Sequence, residues 1–320
     1  MVSNVSTTFP SIDINKVGQT AWNDANQNFI GHLVYPATQL ASARGNLFRF
    51  DSTDDQLITQ QTRGNDVAPT LNGDLIAVPY HMSNFRRRYF VDPDKVDDMP
   101  ANFKNLERQT GSMYTARSTA LAHESAAATA LFDAAVWNSQ TPSVVWSTSA
   151  TAVPIDDLMD MAALMVTERG IMPNTVVMGA QNYFNFAKSS QVLNRLPDVS
   201  FRAITRSEAL GALKGGGLEN LENIYVGLTS YTSSNPTATE VRADLWGNFV
   251  WLGYIDPNPV GDTVNSATIG AELAGKAGVR MREYNDPNLD PDSLYIESQA
   301  KRDHVNLDPG LGQLLTSVSA

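Results

Sequence analysis

The sequence predicts a mixed α+β fold, and three of its features support this prediction. Residues 46–51 alternate apolar and polar side chains with the period of two that is typical of strands, and residues 74–80 are predicted as a second strand. The alanine-rich segment 104–137 carries an apolar stripe at helical spacing. Strand and helix patterns alternate between residues 170 and 273, which indicates an α/β region.

The composition limits the classes of function. The chain of 320 residues has a formal net charge of −11, whereas tight binding of nucleic acid needs clustered Lys and Arg. It has no cysteine, which excludes disulfides, thiolate zinc sites and thiol nucleophiles. No apolar stretch reaches the roughly 20 residues that cross a bilayer, and the N-terminus lacks the pattern of a signal peptide. We therefore expect a protein that is neither exported nor bound in a membrane.

The N-terminal part of the chain is predicted to form arms. Residues 1–40 are polar and contain only scattered large apolar side chains, so we expect an extended arm that buries these side chains on another surface. The strand patterns at 46–51 and 74–80 predict a long two-stranded arm, with a turn at Asn72 and Gly73. An isolated hairpin is marginally stable in water, so this second arm also needs a neighbour.

The rest of the chain is predicted to contain one long helix and several shorter elements. The helix at 104–137 would be about 50 Å long at about 1.5 Å per residue, which suits a strut. Further helices are predicted at residues 155–168, 181–196 and 206–213. Further strands are predicted at residues 144–146, 174–179, 223–228, 244–255, 277–284 and 293–305.

No sequence motif points to catalysis. Three glycines follow Lys214, but a phosphate-binding loop requires the order Gly-Lys-Ser/Thr, so a flexible loop is the better interpretation. His123 and Glu124 begin like a zinc-protease helix, but Ala127 stands where the second histidine is needed. We therefore predict no enzyme, no catalytic residue and no cofactor, and we expect His123 on a helix surface or at an interface.

One acidic segment has the ligand spacing of a calcium loop. Its members are Asp286, Asn288, Asp290, Asp292 and Glu297. Pro291 stands where such a loop needs a glycine with a positive φ, an angle that proline cannot adopt. We interpret the segment as a solvated acidic hairpin tip made of Asp-Pro turns, and calcium binding by these residues stays open as the alternative.

The only basic run of the sequence is Arg86, Arg87 and Arg88. On a strand, Arg86 and Arg88 would face one way and Arg87 the other. The run could contact nucleic acid or carboxylates of another subunit. Phosphate binding normally recruits a larger basic surface, so in this acidic protein we favour carboxylates as the partners.

The order of the predicted elements is an arm, a long β-excursion, a strut helix, an α/β region and a return to strands. This order resembles the Hong Kong 97-type fold of tailed-bacteriophage major capsid proteins over nearly the whole chain. Local stretches add to the resemblance. Residues 63–66 with 74–92 resemble the far strand of the E-loop, 102–108 the start of the spine helix, and 175–184 the first strand and helix of the A-domain.

The resemblance implies four structural regions. They are an N-arm at 1–40, a β-hairpin E-loop at 41–100, a P-domain at 101–169 with 274–320, and an A-domain at 170–273. The P-domain would contain the spine helix and a β-sheet, and the A-domain would be α/β. The E-loop would lie over a neighbouring subunit.

The resemblance also implies a structural function. Such a subunit associates with copies of itself into hexamers and pentamers of an icosahedral head, which encloses double-stranded DNA without sequence-specific contacts. The head would assemble in the cytoplasm of the host bacterium and form the capsid of the virion. A portal, a scaffolding protein and a decoration protein are its expected candidate partners.

The same resemblance predicts which charged residues lie at the subunit interfaces. Acidic hairpin tips of three subunits would meet at local threefold axes, where their repulsion requires neutralisation. Arginines of the E-loops or a bound cation would supply the opposite charge. The interface residues predicted in this way are Arg63, Arg86, Arg87, Arg88, Asp286, Asp290 and Asp292.

The chain departs from the family pattern in two respects. No lysine lies between Lys16 and Lys95, so the E-loop cannot form the lysine isopeptide cross-link that some members use. Arm-like sequence begins almost directly at Met1, so we expect scaffolding to be a separate protein or absent.

Three other interpretations remain open at the level of sequence. The same fold could form an encapsulin-like compartment shell that encloses an enzyme, which the particle contents would reveal. The chain could be a soluble α/β enzyme, which would stay monomeric. It could also be a tail or portal subunit, which would form tubes or rings.

Overall fold

The computed structural model describes residues 13–50, 75–92, 104–196, 204–232, 242–259, 266–276, 278–285 and 294–319. The chain divides into two compact units. The first unit combines Met1–Asn28, Ser83–His123 and Leu273–Arg302. The second unit combines Phe29–Met82, Glu124–Glu272 and Asp303–Ala320. Each unit is therefore built from three separate stretches of sequence.

The helices begin and end where the sequence supplies caps. They are α1 Ile14–Asn26, α2 Gly31–Val34, α3 Lys104–Leu131, α4 Pro154–Arg169, α5 Ala180–Lys188, α6 Ser190–Leu193 and α7 Arg206–Lys214, with a short 3-10 helix at Pro309–Leu311. The Asp13 carboxylate caps α1 by accepting hydrogen bonds from the amides of Asn15 and Lys16. Gly170 ends α4 with a φ of 66°, a left-handed conformation that glycine adopts without strain.

The strands of the described residues are mostly short. They are β1 Ala37–Leu40, β2 Arg44–Phe50, β3 Leu75–His81, β4 Ser83–Val91, β5 Asn138–Gln140, β6 Thr175–Gly179, β7 Asn223–Gly227, β8 Ser230–Thr232, β9 Arg242–Asp244, β10 Phe249–Gly253, β11 Thr268–Leu273, β12 Arg280–Asn285, β13 Leu294–Asn306 and β14 Gly312–Thr316. Strands β2 and β3 form an antiparallel hairpin, as do β8 and β9.

In the first unit, β13 lies between β4 and β12, and both pairings are antiparallel. Helix α3 covers one face of these three strands. The hydroxyl oxygens of Thr119 on α3 and Ser298 on β13 lie 2.5 Å apart. Gly111 allows the close approach of the helix, since a Cβ at this position would lie 2.6 Å from the ring of Tyr89.

In the second unit, five strands form one sheet in the order β5-β14-β10-β6-β7. Strand β6 is fully buried, because apolar clusters lie on both faces of the sheet. One cluster includes Leu158 and Met161 of α4 with Val176 and Leu252 of the sheet. The other is rich in tryptophan, with Trp137, Trp246 and Trp251 as members.

The prediction of an extended N-terminal arm is wrong for the described residues. Residues 14–26 form α1, and Trp22 of this helix is only 6% exposed. The spacing of Ile14, Gly18, Trp22 and Ala25 gives α1 one buried face, which the many Asn and Gln residues between them obscured in the sequence.

Two predicted strands differ from the structure. Residues 144–146 form no strand, and the strand in this region is β5 at Asn138–Gln140. The far strand of the hairpin does not continue to Val91, because it ends at His81 and β4 pairs with β13 instead. Strand β10 is also shorter than its predicted range.

Two predicted helices differ as well. Helix α3 ends at Leu131 instead of Trp137, and the predicted helix at 181–196 is divided into α5 and α6. Ser189 causes this division, since its extended backbone ends α5 while its side chain caps α6. The helices at Pro154–Arg169 and Arg206–Lys214 and the strands at Thr175–Gly179, Asn223–Gly227 and Leu294–Asn306 confirm their predictions within two residues.

Candidate functional site

The predicted arginine run lies on β4. Arg86 is opposite Gln299 of β13. Arg88 is opposite Glu297 of the same strand. Because directly paired residues share a face of a sheet, Arg86 and Arg88 lie on the side away from α3, and Arg87 belongs to the other side. The predicted alternation of the three arginines is confirmed.

Arg86 and Arg88 belong to a larger cationic surface of the first unit, which we call the basic face. It comprises the residues of β4, β12 and β13 that alternate onto the side away from α3, together with the turn before β12. Its charged members are Arg86, Arg88, Lys276, Arg280, Arg282, Glu297 and Lys301. Among the residues of the first unit, six cations therefore share this face with one carboxylate, in a chain whose net charge is −11.

The one carboxylate on the basic face is already held by its neighbours. Arg282 donates two hydrogen bonds to Glu297, of 3.1 and 3.0 Å. The phenol of Tyr284 donates a third, of 3.2 Å. These contacts, hydrogen bonding first, raise the pKa of Arg282 above its usual value, so its guanidinium group stays charged at neutral pH.

Three of the remaining cations line a small cavity at one end of the basic face. Lys276, Arg280, Gln299 and Lys301 line this cavity, which has a volume of about 150 Å³. Within the described residues, no carboxylate lies within ion-pair distance of the two lysines or of Arg280. Arg280 donates a hydrogen bond to the carbonyl oxygen of Gly275, at 3.0 Å. The cavity therefore offers three positive charges and one amide to an anionic group.

The opposite face of the same sheet pairs its charges with α3. Arg108 of the helix donates a hydrogen bond to Glu283 of β12. The phenol of Tyr89 donates to Glu107 at 2.6 Å, and this hydrogen bond, with burial, raises the pKa of Tyr89 to about 12. Glu107 and Glu283 therefore both accept hydrogen bonds from donors within this unit.

A buried carboxylate stands at the centre of the second unit. Glu124 of α3 is 1% exposed, and burial raises its pKa above the ordinary value although its hydrogen bonds act in the other direction. It accepts hydrogen bonds from the amides of Ile30 and Gly31, at 2.9 and 2.7 Å. The indole of Trp246 donates a third, at 2.9 Å. Glu124 thus links three segments of the unit and has a structural role.

Of the two expected locations of His123, the helix surface is wrong, and the interface with another subunit stays a prediction. The residue is 5% exposed. Its ring meets the rings of Trp22 and Phe85 edge to face, at centroid distances of 5.9 and 5.7 Å. His123 belongs to the interior of the first unit.

The proposed acidic tip lies outside the described residues, as do the calcium candidates Asp286, Asn288, Asp290 and Asp292 and the interface candidate Arg63. Glu297, the last member of the calcium pattern, lies within β13 and is held by Arg282. The part of the chain that the structure describes contains no group of three or more His, Asp or Glu residues placed to hold a metal ion.

Sequence reasoning missed most of the basic face. It selected the run Arg86–Arg88 and overlooked Arg280, Arg282 and Lys301, although all three lie on strands that it predicted. The period-two spacing of Arg280 and Arg282 was a usable signal. Only the pairing of β12 with β13 brings the separate cations together.

The fold resembles solved structures of viral and virus-like particle proteins. A phage-related protein of Bordetella bronchiseptica RB50 superimposes with a TM-score of 0.67 at 20% identity, over 93% of this chain and 96% of that one. The virus-like particle protein of Pyrococcus furiosus gives a TM-score of 0.57 at 10% identity, over 95% of this chain and 100% of that one. A capsid structure of the cyanophage P-SCSP1u gives 0.51 at 12% identity, over 90% of this chain and 87% of that one.

The sequence itself gives no corresponding match. No family model and no curated protein is similar to it. Among the helices that the structure describes, none is long and apolar enough to cross a membrane. The likeness to the solved structures extends over nearly all of each chain, and the protein therefore has the mixed α+β fold of phage capsid proteins.

Proposed function

We propose that this chain is the major capsid protein of a tailed bacteriophage, a structural subunit without enzymatic activity. The observation that carries the proposal is the likeness to a cyanophage capsid structure over 90% of this chain. A likeness of this extent includes both compact units, so it does not depend on one common supersecondary motif. In this proposal, copies of the chain form hexamers and pentamers of a Hong Kong 97-type icosahedral head around double-stranded DNA.

The proposed regions follow the order of the chain. Residues 1–40 form the N-arm, which includes α1, and residues 41–100 form the E-loop. Residues 101–169 and 274–320 form the P-domain with α3 as its spine helix, and residues 170–273 form the A-domain. The hairpin β2–β3 supports the assignment of the E-loop, because alternate residues of β3 are exposed and Leu75 is 50% exposed.

The chemistry of the described residues supports a structural subunit better than an enzyme. The buried carboxylates Glu124 and Glu297 are held by three hydrogen-bond donors each. Groups saturated in this way stabilise the fold, whereas a catalytic base needs an acceptor directed at the substrate.

A compartment shell is the second candidate function. The likeness to the virus-like particle protein of Pyrococcus furiosus, with a TM-score of 0.57, favours a closed particle without specifying its contents.

A scaffolding protein, a portal and a decoration protein remain proposed partners of a phage head. Assembly in the host cytoplasm belongs to the same proposal.

Electron microscopy with light scattering on the purified chain tests the proposal. We expect closed icosahedral particles, or free hexamers and pentamers that close when a scaffolding protein is supplied. A uniform monomer under all these conditions would refute a shell function. Particles isolated from infected cells would contain DNA if the chain is a capsid protein, and protein cargo if it is a compartment shell.

A further inference from the structure

We propose that the cavity lined by Lys276, Arg280 and Lys301 is a binding site for a phosphate dianion, either inorganic phosphate or the terminal phosphate of a small molecule. The lining residues all belong to the first unit. The site therefore needs only one folded copy of the chain, and the proposal does not depend on assembly or on the proposed function. It adds a class of ligand that the likeness to capsid proteins does not imply.

The three cations of the cavity come from three segments of the chain. Lys276 lies in the turn before β12, Arg280 begins β12, and Lys301 lies on β13. Gln299 is directly opposite Arg280 and shares a face of β13 with Lys301, because alternate residues of a strand point the same way. Cations from separate segments suit a tetrahedral anion, whose four oxygens point in different directions.

The guanidinium of Arg280 is tied to the turn that carries Lys276. It donates a hydrogen bond to the carbonyl oxygen of Gly275 at 3.0 Å. Gly275 has a φ of 70°, a left-handed conformation that glycine adopts without strain. A guanidinium presents five N–H donors in a planar fork that matches the oxygens of phosphate. The contact with one carbonyl therefore orients the group and leaves donors for a ligand.

The carboxylates nearest to these cations along β13 have other partners. Glu297 accepts two hydrogen bonds from Arg282. Asp303 follows Lys301 by two residues but belongs to the second unit, where it accepts hydrogen bonds from two backbone amides, at 2.7 and 3.0 Å. Within the described residues, the three cations that line the cavity form no ion pair. Their mutual repulsion therefore favours the binding of an anion.

The size and charge of the cavity favour phosphate over smaller or singly charged anions. Its volume of about 150 Å³ is several times the share of one water molecule in the liquid, about 30 Å³, so a tetrahedral oxyanion can replace water there. Lys276 and Arg280 are exposed and Lys301 is partly exposed, so a ligand can enter from solvent. Three positive charges attract a dianion more strongly than a chloride ion or a carboxylate.

Duplex DNA is a less suitable source of the phosphate group. Each diester of its backbone carries one negative charge, and the whole duplex would approach a chain with a net charge of −11. A small phosphate enters the cavity alone and interacts mainly with charges within a Debye length of about 10 Å. Inorganic phosphate and phosphate monoesters are therefore the expected ligands.

Equilibrium dialysis of the full chain against radiolabelled inorganic phosphate tests the site directly. Sodium chloride keeps the ionic strength constant while the phosphate concentration increases, so that general screening does not change. We expect saturable binding of one phosphate per chain. Binding that does not saturate, or that saturates at several phosphates per chain, would overturn the proposal, because a diffuse layer of anions on cationic side chains gives that result.

Neutral substitutions locate the bound phosphate. Arg280→Gln with Lys301→Gln should weaken its binding by about tenfold or more, because two of the three cations are removed. The matched control is Lys188→Gln with Lys214→Gln, which removes the same charge from exposed positions of the second unit and should bind phosphate like the wild type. Equal losses in both variants, or no loss in the first, would refute the site.

Thermal unfolding provides a second measurement. A ligand that binds only the folded state raises the melting temperature, so phosphate should stabilise the wild type and the control variant relative to chloride at equal ionic strength. It should not stabilise Arg280→Gln with Lys301→Gln. Circular dichroism without phosphate shows whether that variant is folded. If phosphate stabilises the cavity variant as much as the wild type, it binds elsewhere and the proposal fails.

Competition distinguishes the sources of the phosphate group. Methyl phosphate, a dianionic monoester, should displace labelled phosphate as well as unlabelled inorganic phosphate does. Dimethyl phosphate, a singly charged diester, and a short DNA duplex should need a concentration of phosphate groups about tenfold higher or more. Displacement by the duplex at the same concentration as methyl phosphate would overturn the assignment to a small dianion.

Discussion

The two units fill their interiors in different ways. In the first unit, the contact between α3 and its sheet contains small and polar side chains, among them Thr119 and Ser298, both fully buried. In the second unit, fully buried Trp246 and Trp251 fill the space beside the five-stranded sheet. The close approach of α3 to its sheet and the hydrogen bonds between them stabilise the first unit, whereas the burial of apolar surface stabilises the second. The first unit should therefore be sensitive to added volume, and the second to lost volume.

The largest expected effect is the loss of volume in the second unit. Trp251→Ala removes a fully buried indole, and we expect the free energy of unfolding to fall by about 3–5 kcal/mol. Denaturant titration of the subunit measures this change. Phe184→Ala is the control, because Phe184 is 50% exposed and its removal should cost less than about 0.5 kcal/mol. Equal effects of both variants would contradict the comparison.

An intermediate effect is expected at the polar centre of the second unit. Glu124→Gln places an amide N–H₂ against one of the donors that now bind the carboxylate, and leaving a buried donor unsatisfied costs about 1–3 kcal/mol. The cost should also depend on pH. Because burial raises the pKa of Glu124 in the folded state, the folded state binds this proton more strongly than the unfolded state, so this contribution to stability falls as pH rises above 4.5.

The pH dependence is measured as a difference between two proteins. The other titrating groups cancel when the free energy of unfolding of Glu124→Gln is subtracted from that of the wild type at each pH. We expect the wild type to lose part of its advantage as pH increases from 4.5 through the raised pKa of Glu124. A difference that stays constant over this range would show that the pKa of Glu124 is not raised.

The smallest expected effect is that of Gly211→Ala, in a comparison of two glycines inside helices. Gly111→Ala in α3 would place a Cβ 2.6 Å from the ring of Tyr89, and such overpacking costs about 1–3 kcal/mol. Gly211→Ala in α7 meets no atom within 4 Å and should stabilise the protein by about 0.5–1 kcal/mol through helix propensity. Thermal unfolding of both variants tests the difference. Stabilisation by both would show that the first unit tolerates added volume.

The end of α3 shows how sequence periodicity can mislead. The apolar pattern continues to Trp137, but the helix ends at Leu131, whose carbonyl oxygen accepts a hydrogen bond from the indole of Trp137 at 2.7 Å. Phe132 stacks on Phe249 with ring centroids 5.2 Å apart. These residues are apolar because they lie in the core. The spacing of apolar residues in the sequence cannot distinguish such a core segment from the buried face of a helix.

The candidate site could be predicted only in part, because a local pattern shows the faces of one strand and not the strands that lie beside it. Residues on one predicted strand can be assigned to faces from their spacing, so the sequence correctly separated Arg87 from Arg86 and Arg88. Which strands lie side by side depends on pairings between distant segments. Strand β4 pairs with β13 across more than two hundred residues of chain, and no local pattern contains that information.

The position of β4 has one more consequence. Within the described residues, β4 pairs only with β13 and leaves its other edge open. Such an edge is a template for another strand, and proteins protect it with charged side chains. If two copies of β4 joined antiparallel around Arg87, Arg86 of each strand would lie opposite Arg88 of the other. The three arginines therefore oppose edge-to-edge pairing of two copies of this chain through β4.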